Sequence, residues 1–202
     1  MIKKLTITTA LLTVGLITSL GYTSVAQTNR PSTQQNPTNR PATQPNLRRL
    51  SIFDQQFMRR AAQGNMAEIE LSQLALQQGD SDEVKQYAQR MIQEHTQANA
   101  TLSQLAQQKG VNLPRELDPQ HQAIRAQLEQ LSGERFDQEY MRVMENDHVL
   151  TVTLFRNGTR QAQDQDVRRF ASTTLPRLQG HLQMVRAMMG NNSAQNSNTR
   201  QR

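Results

Sequence analysis

Four polar side chains interrupt the apolar stripes of this sequence: Glu68, His95, His148 and His181. Glu68 shares a helical face with Phe57, Ala61, Leu71 and Ala75. His95 shares one with Met91, Ala98 and Leu102, and His181 lies between Leu178 and Val185. His148 keeps a side with Met144, Thr151, Val152 and Phe155, and Glu145 three residues earlier completes a Glu-x-x-His. Ionisable groups on buried faces need partners, because a buried charge or orphaned polar atom is costly. A carboxylate and several imidazoles meeting inside a bundle satisfy one another either around a metal ion or through hydrogen bonds. Imidazole and carboxylate suit Fe, Zn, Mn or Cu, with geometry choosing among them. The candidate metal ligands are therefore Glu68, His95, Glu145, His148 and His181. Two readings compete with a metal site: a metal-free hydrogen-bond network, and helices rotated so that the histidines face solvent.

The carboxylate count limits the chemistry. Di-iron bundles draw one Glu from each of two helices and a Glu-x-x-His from each of the other two. This chain meets that pattern once, at Glu145 and His148; the fourth helix offers Leu178-x-x-His181 instead. A set rich in His and poor in carboxylate suits one ion better than a bridged pair, which argues against ferroxidase or oxidase chemistry. Glu70, Glu94 and Asp147 read as solvated flanks, and His121 beside Pro119 as a surface histidine. With no Cys, no Gly-x-Ser-x-Gly elbow and no glycine-rich phosphate loop, nothing supports a nucleophilic or nucleotide-dependent enzyme. Met141, Met144, Met184, Met188 and Met189 read as core filling, with soft-metal copper binding as the sharper alternative.

The elements that must carry these residues are helical. Aromatic residues are 4% of the chain and Trp is absent, so the core is built from Leu, Met, Val, Ile and Ala. Apolar spacings of three and four predict a first helix from Phe53 to about Gln78. Asp80 and Ser81 can cap a second, which ends at Lys109-Gly110. Asp118-Pro119 reads as an N-cap followed by Pro at the first helical position, opening a short helix through Leu131. A third long helix is expected from about Glu134 to Gln163, and a fourth from Gln165 onward with a bend at Pro176. Short loops within each pair and a long passage from 110 to 133 predict an all-α, ferritin-like antiparallel four-helix bundle with a short additional helix in the central connection.

A constant offset of 83 relates the two halves. Phe53-Asp54-Gln55-Gln56-Phe57-Met58-Arg59 lies over Phe136-Asp137-Gln138-Glu139-Tyr140-Met141-Arg142, and Val84-Lys85-Gln86-Tyr87-Ala88 over Val167-Arg168-Arg169-Phe170-Ala171. Two helical hairpins related by an internal pseudo-twofold would produce this match. The polar inner residues do not repeat: Glu68 pairs with Thr151, His95 with Leu178, His148 with Asn65 and His181 with Ala98. That asymmetry favours a specific site over a by-product of duplication.

The ends of the chain address its location. Lys3 and Lys4, the apolar stretch Ile7 to Leu20 and Ser24-Val25-Ala26 form an export signal over residues 1–26, cleaved before Gln27. Losing the two lysines takes the net charge from +6 to +4. Residues 27–50, with Pro31, Pro37, Pro41 and Pro45, are too poor in apolar groups to fold and read as a disordered linker, and residues 190–202 read as a disordered tail. The folded body is then 51–189. Export to the periplasm or cell envelope argues against a nucleic-acid partner. It leaves an unidentified envelope component as partner, with peripheral attraction to anionic polymers or headgroups, in an undetermined oligomeric state.

Across Ile52 to Met189 the chain resembles the family of domains of unknown function designated DUF4142, described as outer membrane or exported proteins. The resemblance rests on FDQQFMRRAAQGNMAEIELSQLA, VKQYAQRMIQEHTQANATLSQLAQQKGVNLP, FDQEYMRVMENDH with Leu154-Phe155, and LPRLQGHLQM. It implies a ferritin-like four-helix fold on an exported protein, with Glu68, His95, His148 and His181 at the matching family positions. It implies no reaction. Alternating barrel strands are absent from the sequence, so a soluble or peripherally attached protein is expected. The function expected at this level is a structural or interaction role in the envelope, with metal binding as its leading specific form. The alternative is a mononuclear or dinuclear metal protein with redox or oxidative-stress chemistry.

Overall fold

Three side-chain caps fix where the first helices begin. In the computed structural model, which describes residues 50–199 and side chains as far as residue 190, Ser51 Oγ accepts from the Asp54 amide at 3.0 Å and opens α1 (Ile52–Gln78). Ser81 Oγ accepts from the Val84 amide at 3.3 Å and opens α2 (Asp82–Lys109). Asp118 accepts from the His121 amide at 3.0 Å and opens α3 (Pro119–Leu128), with Pro119 at its first position. The long helices α4 (Gly133–Gln161) and α5 (Gln165–Thr199) follow. Asp164 caps α5 by accepting from the Asp166 and Val167 amides at 2.9 and 3.1 Å. At the end of α2, Gly110 takes φ 67° and donates back to the Ala106 and Gln107 carbonyls, a left-handed stop that glycine adopts without strain.

The helices form an antiparallel four-helix bundle with α3 in the crossover, the connectivity of ferritin-like bundles. Lys109 at the end of α2 meets Asp164 and Asp166 at the start of α5, 2.8 Å from each, so these two helices run antiparallel. Asp54 at the start of α1 meets the α4–α5 turn, so α1 and α4 are antiparallel as well. The connection from α2 to α4 must then travel the length of the bundle, which is why it is long. Pro176 lies inside α5, and the helix continues through it to Thr199, ten residues past Met189 where the folded body was expected to end. The expected signal (1–26) and nearly all of the expected linker (27–50) lie outside the described residues.

The offset of 83 is visible atom by atom. Asp54, fully buried, accepts from the Gln163 and Asp164 amides at 3.1 Å each. Asp137, its counterpart, accepts from the Asp80 amide at 3.1 Å and the Ser81 amide at 2.8 Å. Each hairpin thus places a carboxylate from the start of its first helix onto the turn of the other hairpin. Phe57 packs edge-on against Phe155 with ring centroids 5.1 Å apart, and the equivalent pair, Tyr140 and Ser72, share a 2.8 Å hydrogen bond.

Two apolar cores fill the bundle and stop short of its middle. One gathers Phe57, Met58, Leu102, Phe155, Val167 and Phe170; the other gathers Leu71, Val84, Met91, Phe136, Tyr140 and Met144. Between them each long helix contributes a polar residue: Glu68, His95, His148 and His181. Met141 and Met144 are buried in the second core, with Met184, Met188 and Met189 packed on it, as core filling predicts.

Candidate metal centre

The three histidines converge from α2, α4 and α5. Their exposures are 2%, 0% and 1% for His95, His148 and His181, and their ring centroids form a triangle with edges of 5.8, 5.2 and 5.3 Å. One nitrogen of each lies within 4.8 Å of a nitrogen of both others. Glu68 from α1 closes the fourth side, with Oε2 at 2.6 Å from His95 Nε2 and 3.4 Å from His148 Nε2.

The outer nitrogens decide what the inner ones offer. His148 Nδ1 lies 2.8 Å from the Met144 carbonyl, which can only accept, so Nδ1 carries the proton and Nε2 turns a lone pair inward. His95 Nδ1 lies 3.0 Å from Asn65 Oδ1, and its Nε2 faces inward 2.6 Å from Glu68 Oε2, a separation that needs a proton or an ion between the two atoms. His181 Nε2 lies 2.9 Å from a carboxylate oxygen of Glu94, so Nδ1 is its free lone pair. Carbonyl, amide and carboxylate partners of this kind fix tautomer and ring direction around metal-bound imidazoles.

The inward atoms are the unpaired ones. Glu68 Oε1 and Oε2, His95 Nε2, His148 Nε2 and His181 Nδ1 are all buried without a hydrogen-bond partner, the short approach of Glu68 to His95 lacking the direction of a hydrogen bond. Leaving such groups unsatisfied costs about 1–3 kcal/mol each. Burial works to raise the Glu68 carboxyl, yet the charges of His148 and His95 and the short contact to His95 hold it down at about 2. Glu68 is therefore an anion in the middle of the bundle; the positive charge that holds it so is imidazolium in the metal-free chain, and an ion would take over that charge once the imidazoles lost their protons to bind it. Burial first, and then charge on His95, pushes His181 down to about 4, so it is a neutral imidazole near pH 7. One anionic oxygen ligand and inward imidazole lone pairs fit a borderline transition-metal ion.

The structure redraws the edges of the predicted set. Glu68, His95, His148 and His181 come together; Glu145 does not. Glu145 is 32% exposed and bound to Arg186 Nε of α5 at 2.8 Å, so the Glu-x-x-His supplies only its histidine. Glu94, read as a solvated flank, is the acceptor that orients His181, and it also binds Arg90 and Arg177. Asp147, also read as a flank, is 6% exposed because α3 covers it. His121 is no ordinary surface histidine: its Nδ1 is 2.6 Å from Asp118 and its Nε2 3.7 Å from Asp147. Asp147 leads and Asp118 adds to a rise of the His121 imidazole to about 9. Glu70 does remain at the surface, 3.4 Å from Arg125. Asn65 had a signal, because the offset of 83 pairs it with His148.

A model of the family described as "Domain of unknown function (DUF4142)" matches residues 37–188. Among solved structures, a DUF305 fragment from Deinococcus radiodurans aligns with TM-score 0.64 and 17% identity, over 70% of this chain and 98% of that one. A DUF305 protein from Streptomyces coelicolor, described as secreted, aligns with TM-score 0.62 and 13% identity, over 70% and 92%. CopM in a Cu(I)-bound form aligns with TM-score 0.57 and 17% identity, over 68% and 96%. At these identities the likeness is one of fold. No curated protein matches the chain.

Proposed function

The chain belongs to the DUF4142 family, and from that starting point we propose that it is an exported metal-binding protein of the cell envelope. It holds one transition-metal ion between its two hairpins. His95 Nε2, His148 Nε2 and His181 Nδ1 are the nitrogen ligands, and Glu68 supplies the carboxylate. The observation that carries this reading is the direction of the imidazoles: each has its outer nitrogen tied to a polar partner and its inner nitrogen turned to the bundle centre without a hydrogen-bond partner.

The donor set favours a divalent ion. Glu68 contributes one negative charge and the imidazoles none, so a 2+ ion leaves the centre at +1, with Glu94 one bond away through His181. Two nitrogens on tetrahedral zinc stand about 3.4 Å apart; the present 4.8 Å spread closes by an inward shift of the rings. A dinuclear centre has less support, since Glu145 is engaged elsewhere. Fe, Zn, Mn and Cu remain the candidates. The existence of a Cu(I)-bound form of CopM on a similar fold makes copper worth including among them. Export is supported by the signal-like N-terminus and by the likeness to a secreted protein. No helix among the described residues is long and apolar enough to cross a membrane.

The test is metal content by mass spectrometry on mature protein taken from its native envelope without added metal or affinity tag. The comparison is a variant with His95→Ala, His148→Ala and His181→Ala. The reading expects near-stoichiometric metal in the native protein and none in a variant that remains helical. Absence of metal from both, with the variant strongly destabilised, would overturn it in favour of a buried polar network.

A further inference from the structure

The polar layer does not end at Glu68. A pocket of about 450 Å³ opens to solvent beside it, and its walls include Gly64 and Glu68 of α1, Asp118 and His121 at the start of α3, and Asp147 and Thr151 of α4. Two of these groups are more than nine-tenths buried and have oxygens with no hydrogen-bond partner. They are Glu68, 1% exposed, with both carboxylate oxygens unpaired, and Asp147, 6% exposed, with Oδ2 unpaired. His121 stays with Asp118 at 2.6 Å, while Asp147 Oδ2 stands 3.7 Å from its other nitrogen. Asp147, the larger cause of the raised His121 imidazole, shares that charge with Asp118, and its Oδ2, at 3.7 Å, still lacks a hydrogen-bond partner.

The opposite side of the cluster carries an excess of positive charge. There His181 Nε2 is held by Glu94, whose oxygens are taken by Arg90 at 2.8 Å and Arg177 at 3.2 Å. Two guanidinium groups stand where an entering cation would have to pass. The pocket side sets three carboxylates, Asp118, Asp147 and Glu68, against the cations Arg60 and His121, whereas the opposite side sets Glu94 against two guanidinium groups, so the excess of oxygen ligands leading inward lies on the pocket side.

We propose that this pocket is the loading port of the metal centre: a divalent transition-metal cation enters between α1 and α4, is held in transit by Asp147, and passes to Glu68 and then the imidazoles. This rests on the metal-binding reading above. A port is distinguished from a resident ligand by reversibility. It speeds entry and exit alike and leaves the equilibrium unchanged, whereas loss of a resident ligand speeds exit and weakens binding.

The experiment follows Co(II) alone, as probe, binding to the mature full chain by stopped-flow absorbance and equilibrium titration. Two variants perturb the port by different means. Asp147→Asn removes its charge. Gly64→Leu fills its space, the first carbon being tolerated because the nearest atom, Thr151 Oγ1, is 3.6 Å away. Both are expected to bind one Co(II) with the native spectrum and affinity, while association and dissociation each slow by about tenfold or more. Native rates in both port variants would overturn the port, as would faster dissociation with weakened affinity in Asp147→Asn. A native chain that takes up no Co(II) would overturn the metal site itself and the port with it.

Discussion

Replacing Glu94 by alanine takes away the acceptor that holds His181 Nε2 at 2.9 Å. The imidazole is then free to carry its proton on Nδ1, which would present a donor to the metal centre in place of a lone pair. Removing such outer partners lowers metal affinity about 10–100-fold, or about 1.4–2.7 kcal/mol. The folding of the metal-free protein should be far less sensitive. Glu94 is 20% exposed, and its links to Arg90 and Arg177 are surface ion pairs of about 0–1 kcal/mol. Glu94→Ala should therefore separate the two quantities, with affinity falling by at least about tenfold and apo stability by less than about 1 kcal/mol. Glu94→Gln keeps an oxygen acceptor and should recover most of the affinity. Competition titration of Co(II) or Zn(II) against a chromophoric chelator gives the first quantity, and urea unfolding after chelation gives the second. Native affinity in a folded Glu94→Ala protein would refute the argument, because His181 would then need no outer partner to serve as a ligand.

Two further outcomes follow from packing. Asp54→Ala and Asp137→Ala each strip the acceptor from two turn amides, at about 1.5–3 kcal/mol for charged hydrogen bonds. The two sites are separated by nearly the whole of α1, about 40 Å at helical rise, so chemical denaturation should find their costs additive. Glycine offers a paired contrast. Gly158→Ala drives a Cβ to 2.6 Å from Phe57 Cε2 and 3.0 Å from Ala171 Cβ and should destabilise by about 1–3 kcal/mol. Gly64→Ala meets its nearest atom at 3.6 Å and should stabilise by about 0.5–1 kcal/mol, both read as shifts in melting temperature.

The four central residues were legible because an ionisable side chain on an apolar stripe stands out against its neighbours at period 3.6. The caps at Ser81 and Asp118 were legible because they are local chemistry. The supporting residues were hidden for a geometric reason. Glu94 and Asp147 each adjoin a ligand in sequence and so are rotated about 100° from it around the helix, which places them at the border of the stripe. Whether a border residue is covered depends on a second element: α3 buries Asp147, and α5 brings His181 to Glu94. Glu145 failed in the opposite way. Its spacing from His148 was right, but Arg186 of α5 reaches it from the flank, a contact between helices that no single-helix periodicity contains.

The reciprocal placement of Asp54 and Asp137 has a consequence for how many ligands of each kind the centre can have. Two identical hairpins assembled around a true twofold axis would be obliged to present every side chain twice, so a carboxylate at the position of Glu68 would return at Thr151 and an imidazole at His148 would return at Asn65. Such an assembly can offer only even numbers of each donor. Joining the halves through α3 releases each position from its twin, and the chain uses that freedom to set three imidazoles against one carboxylate, two donors from each hairpin. An odd-numbered donor set, with the single negative charge it carries, is open to a covalently linked pair of hairpins and closed to a symmetric dimer of them.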